Sequence, residues 1–199
     1  MKPTGVRWLM TLFLLLLPGA LRLNGQNLLK NGGFENFTGN EPKNWTTTNI
    51  PKAVVVVSPV TKCHSGKYAV KCEVKDFHGS KIPGMIMQSD IEIKGVSLEL
   101  RGYYVLSSVG RDAGFISLEL QDADGNTVKI CQDNLVKPAG EYTRFSMAGD
   151  IPSRAVRLDI KLTLLPGKGS DNLHEGSYIL FDDLEVVPAL PEREKANSL

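Results

Sequence analysis

An all-β fold, an antiparallel β-sandwich of the jelly-roll type, is what this chain predicts, and three observations carry the prediction. No stretch of ten or more residues after Asn27 repeats its apolar side chains every 3.6 residues, as an amphipathic helix would. Several short stretches instead alternate: Ile116, Leu118 and Leu120 oppose Ser117, Glu119 and Gln121, and Val156, Leu158, Ile160, Leu162 and Leu164 oppose Arg157, Asp159, Lys161 and Thr163. One wet and one buried face per strand is the pattern of antiparallel sheets packed face to face. Turn-forming residues separate the stretches at short intervals, as a sandwich requires.

The elements follow in order. Residues 1–26 read as a signal peptide: Lys2 and Arg7 precede an apolar run from Trp8 to Leu17, which Pro18, Gly19 and Ala20 close. The run is about ten residues long, against roughly 20 for a membrane-crossing helix. No cysteine ends it to take a lipid, so the expected product is secreted or periplasmic, with no membrane span. Strands are expected at 53–58, 68–75, 85–93, 97–106, 115–122, 127–135, 143–149, 155–164 and 178–187, within one domain spanning 27–187. Turns are expected at Ser65-Gly66, His78-Gly79, Asp124-Gly125-Asn126, Pro138-Ala139-Gly140 and Pro166-Gly167-Lys168-Gly169. Gly125 supplies the positive φ that a tight hairpin needs. Residues 188–199, with Pro188, Pro191 and the charged run 192–195, read as a disordered tail.

Composition narrows the function classes. A net charge of +1 gives no long-range field for nucleic acid. Three cysteines cannot all pair internally. Cys63 and Cys72 are left between a bridge and two separate thiols, although the alternation Tyr68, Val70, Cys72, Val74 turns Cys72 into the core. The histidines 64, 78 and 174 show no zinc spacing, and no nucleophile-elbow, P-loop or dinucleotide motif is present.

The mature domain opens with Asn27-Leu28-Leu29-Lys30-Asn31-Gly32-Gly33-Phe34-Glu35 and continues with Pro42-Lys43-Asn44-Trp45. His64-Ser65-Gly66-Lys67-Tyr68-Ala69-Val70 and Gly140-Glu141-Tyr142-Thr143-Arg144-Phe145 follow, and the last strand carries Asp182-Asp183. In this order the motifs resemble the galactose-binding-like carbohydrate-binding modules of families four, nine and twenty-two. The resemblance implies a secreted, non-catalytic monomer that binds a polysaccharide or glycan. It also implies a structural calcium ion (Ca2+) held where the chain ends meet, by Glu35, Asp182 and Asp183. Calcium takes six to eight hard oxygens, and Asp182, on the same side of its strand as Leu184 and Val186, is expected to point inward. A buried carboxylate needs a cation or donors, and backbone amides are the competing partner.

A glycan needs convergent carboxylate, amide and guanidinium groups, with flat rings to stack on. Alternation offers Arg101, Tyr103, Glu119, Gln121, Arg157 and Asp159 as one outward face. The same set also describes an ordinary solvated sheet. Aromatic residues make up 7% of the chain, and Trp45 is expected in the core. Two other readings stand beside sugar binding: a protein-interaction or envelope-assembly module on the same fold, and a small glycan-active enzyme using Glu119 and Asp159 as its carboxylate pair.

Overall fold

The structure is a computed structural model, and it describes residues 26–138 and 140–188. The expected signal peptide, apart from its last residue, and the tail beyond Pro188 lie outside the described residues. Among the described residues thirteen strands occur: β1 (Phe37–Thr38), β2 (Glu41–Pro42), β3 (Thr46–Thr47), β4 (Val57–Val60), β5 (Ala69–Phe77), β6 (Ser80–Pro83), β7 (Ile86–Glu92), β8 (Ser97–Ser107), β9 (Ala113–Gln121), β10 (Thr127–Leu135), β11 (Thr143–Asp150), β12 (Arg157–Leu165) and β13 (Tyr178–Pro188). The nine expected strands are all there apart from a shift of the first from 53–58 to β4. Alternation did not mark β1, β2, β3 and β6, because two to four residues are too few to show a period. Among the described residues no helix is long and apolar enough to cross a membrane.

Two antiparallel sheets face each other. One has the order β10-β9-β12-β7-β3; the other has six strands in the order β11-β8-β13-β5-β4, with β6 added on β5. Their inward side chains form one core that includes Ile116, Leu118, Leu158, Ile160 and Leu162 from the first sheet, and Val70, Cys72, Leu100, Ile179 and Phe181 from the second. These residues are fully or almost fully buried. Each such aliphatic side chain contributes about 1.5–3 kcal/mol relative to exposure. Val156 departs from the expected alternation: it precedes β12 and is 38% exposed.

The opening motif closes the sandwich. Asn27 donates from Nδ2 to the Leu184 carbonyl (3.0 Å) and accepts the Val186 amide (2.9 Å). The Leu184 amide donates to the Gly32 carbonyl, and a Cβ on Gly32 would overlap the Leu184 carbonyl oxygen. Phe34 is fully buried and meets Trp45 at 5.3 Å between ring centroids. The Trp45 indole donates to the Lys30 and Asn31 carbonyls. Trp45 is thus a core residue, as expected, and offers no face to a ligand.

A β-bulge corrects one expectation. Across β13 and β8, Asp182 pairs with Tyr103 but Glu185 pairs with Arg101, so β13 carries one extra residue there. An extra residue reverses the inside-outside alternation. Leu184 and Val186 therefore lie in the core with Phe181, whereas Asp182 stands opposite the outward Tyr103. Asp182 does not point into the core; it is fully buried because a loop covers it from outside. Asp183, at φ 48°, is the bulge's left-handed residue.

Candidate functional site

The two outer faces of the sandwich differ in what their polar groups do. On the six-stranded sheet, the segment 61–68 lies over the bulge and is fastened there by carboxylates. Asp182 Oδ2 accepts the amides of His64 (2.7 Å) and Ser65 (3.1 Å), and Oδ1 accepts the amide of Asp183 (2.8 Å). Asp183 accepts from Ser65 Oγ (2.8 Å) and lies 2.7 Å from His64 Nδ1. Glu35 reaches the same loop from the opening motif and accepts the amides of Lys67 and Tyr68. Burial pushes the Asp182 carboxyl up, and the three amides oppose that shift. Burial also raises the Tyr142 hydroxyl, which donates to the Lys62 carbonyl and holds the start of the loop.

These contacts test the expected calcium site. All six carboxylate oxygens of Glu35, Asp182 and Asp183 already receive a hydrogen-bond donor. Five peptide N–H groups point at them, the positive ends of dipoles where a cation would have to sit. Among the described residues no group of three His, Cys, Asp or Glu side chains is arranged to hold a metal. The residues present do not fit a calcium ion.

Beside the loop, a cavity of about 520 Å³ opens on the outer face, lined among others by His64, Arg101, Tyr103, Arg144, Asp183 and Glu185. His64 stacks on Tyr103 with ring centroids 3.5 Å apart and planes 13° from parallel. Arg101 donates from Nε to Glu185 Oε2 (2.7 Å), its Nη2 lies 2.7 Å from the same oxygen, and its Nη1 is 3.8 Å from Glu99.

The five-stranded sheet presents a different surface. Register places its outward residues in rows: Asn134, Phe115 and Thr163; then Gln132, Ser117, Lys161 and Met87; then Ile130, Glu119 and Asp159; then Gln121 and Arg157. The third and fourth rows are cross-linked. Asp159 accepts the Asp90 amide (2.9 Å) and the Gln121 side-chain amide (3.3 Å), Arg157 lies 3.6 Å from Asp90, and Thr127 donates to Glu119. In the second row the side chains of Gln132, Ser117 and Lys161 have no hydrogen-bond or ion-pair partner among the described residues. Phe115, half-buried, supplies the one aromatic edge next to that row.

The expected face of Arg101, Tyr103, Glu119, Gln121, Arg157 and Asp159 is therefore split. Arg101 and Tyr103 belong to β8 in the six-stranded sheet; the other four lie on β9 and β12 in the opposite sheet. All six do point outward, but strands consecutive in sequence, β8 and β9, sit in different sheets. His64, Arg144 and Glu185, which line this cavity, are not among the expected site residues. His64 and Arg144 fall inside two of the resemblance motifs, which was the available signal. The three cysteines are free: Cys72 is buried in the core, with its thiol pushed up by that burial, and Cys63 lies in the covering loop.

No protein-family model matches the chain, and no curated protein does. Solved structures do. The enzymatically active domain of tailspike protein 4 from bacteriophage CBA120 aligns with 82% of the chain at 17% identity and a TM-score of 0.61, although the chain spans only 21% of that protein. A family 16 carbohydrate-binding module aligns over 81% of this chain and 99% of its own length, at 16% identity and a TM-score of 0.56. The module TmCBM61, solved with β-1,4-galactotriose, aligns over 82% and 99%, at 19% identity and a TM-score of 0.53. At these identities the likeness is one of fold, and the chain has an antiparallel jelly-roll fold like that of these carbohydrate-binding modules.

Proposed function

We propose that the chain is an exported, non-catalytic module that binds a poly- or oligosaccharide along the outer face of its five-stranded sheet. The observation that carries this reading is the row Gln132, Ser117 and Lys161. It is a band of hydrogen-bonding groups across three strands, half-buried or exposed, with no internal partner. Polar side chains without a partner in the fold are bonded only to water, which sugar hydroxyls can replace. Glu119, Gln121, Asp159 and Arg157 fill the next two rows and are held in place, Gln121 by Asp159, Glu119 by Thr127 and Arg157 beside Asp90. The fold supports the reading by analogy, since one neighbour was solved with a galactotriose and another is a xylan-binding domain.

The scarcity of aromatic faces shapes the expected behaviour. With Trp45 buried, only Phe115 offers stacking, so affinity rests on hydrogen bonds, each worth about 0.5–1.5 kcal/mol net. Such a surface suits a repeating polymer that lays many hydroxyls across it. Affinity electrophoresis against plant, algal and host polysaccharides tests this with the wild type and the Ser117→Ala/Lys161→Ala double variant. The expected result is retardation by at least one polymer, lost in the variant. No retardation by any neutral polymer, or equal retardation of both proteins by one, would overturn the assignment.

A further inference from the structure

The charges lining the cavity on the six-stranded sheet balance in number, Arg101 and Arg144 against Asp183 and Glu185, but they are unevenly paired. Arg101 is neutralised by Glu185 and lies near Glu99. Both oxygens of Asp183 are taken, by His64 and Ser65. Arg144, exposed on β11 directly across from Tyr103, makes no ion pair among the described residues. The cavity thus holds a guanidinium free to bind, with its carboxylates already engaged.

The geometry around Arg144 fits a sugar ring. The volume of about 520 Å³ is within the range of small-molecule sites. His64 turns Nδ1 to Asp183, which leaves Nε2 for a ligand, and Tyr103, partly exposed beneath it, has a hydroxyl with no hydrogen-bond partner among the described residues. A guanidinium is a planar fork of donors that matches a carboxylate at two points. We propose that this cavity is a second saccharide site, on the opposite face from the polymer row, selective for a sugar carrying a carboxylate, a hexuronate, with Arg144 as the carboxylate's partner. The proposal rests on the saccharide reading of the chain, but on none of the residues of the five-stranded face.

The test is an amide-resolved NMR titration of the mature chain at low ionic strength with tri-galacturonate, tri-mannuronate, neutral galactotriose and sodium sulfate. At least one uronate should shift the amides of His64, Tyr103 and Arg144, while galactotriose and sulfate should not. Arg144→Gln should weaken that uronate at least tenfold, and Arg144→Lys, which keeps the charge but loses the fork, should fall between. Uronates that leave these amides unmoved, equal affinity in Arg144→Gln, or sulfate acting as well as the uronate would each overturn it. Ser117→Ala/Lys161→Ala should leave uronate binding intact. Silence of neutral polysaccharides with a retained uronate response would sink the five-stranded reading alone, and the opposite pattern would sink this one alone.

Discussion

The two outer faces are built from similar residues, but their polar groups are differently engaged. Over the six-stranded sheet, Asp182, Asp183 and Glu35 are saturated by the loop they hold down, and Asp182 is fully buried. Over the five-stranded sheet, Lys161 and Gln132 have no hydrogen-bond or ion-pair partner among the described residues. Charge and polarity alone therefore do not distinguish the two faces; whether the polar groups are already bonded does. Of the carboxylates that the resemblance assigned to a metal, Asp182 and Glu35 accept peptide amides and Asp183 accepts from Ser65 Oγ, and the bulge in β13 is what sets Asp182 on the covered side.

Removing the clamp should have the largest effect. Asp182→Ala would leave the amides of His64, Ser65 and Asp183 without acceptors beneath the loop, and should cost about 3–5 kcal/mol. Urea unfolding should show it as a lower midpoint at unchanged slope. Gly66→Ala comes next. Gly66 has a φ of +66°, and an added Cβ would overlap Glu35 Oε1. A loss of about 2 kcal/mol is expected from the left-handed backbone and the clash, and hydrogen exchange at residues 64–68 should rise more than in β9 or β12.

On the open face the pattern should invert. Ser117→Ala and Lys161→Ala, singly or together, should move stability by less than about 0.5 kcal/mol, because neither side chain is bonded to its neighbours. Together they should lower polysaccharide affinity about tenfold, the equivalent of one or two hydrogen bonds. The smallest expected effect is that of calcium. A ligand that binds only the folded chain at a hundred times its Kd would add about 2.7 kcal/mol, so thermal melts with chelator and with millimolar calcium should superimpose. A melting temperature that rises with calcium would show that the amides give way to a cation at the seam.

Much of the fold was legible because alternation is a local property. Ile116, Leu118 and Leu120 announce β9 within five residues, and the motif from Asn27 to Glu35 announces the closure against β13. Two things were not local. The bulge at Asp183 shifts the alternation of β13 by one residue, and nothing in the run from Tyr178 to Val187 marks where the extra residue enters. The assignment of β8 and β9 to different sheets is decided by which strands pair across the sandwich, so Arg101 and Tyr103 were grouped with Glu119 and Arg157 across a core that separates them. Free polar groups were equally invisible, since the sequence shows Lys161 and Asp159 alike, and only the register tells which one is bonded.

The central claim is that the open row on the five-stranded sheet, and not the covered face, takes a neutral saccharide chain. It is tested most directly by mapping amide shifts on the wild-type chain with the neutral polysaccharide fragment that retards it most. The account predicts perturbations running across β10, β9 and β12 at Gln132, Ser117 and Lys161, with the amides of residues 64–68 unmoved. Perturbations confined to the six-stranded sheet, or scattered over both faces without a row, would contradict it.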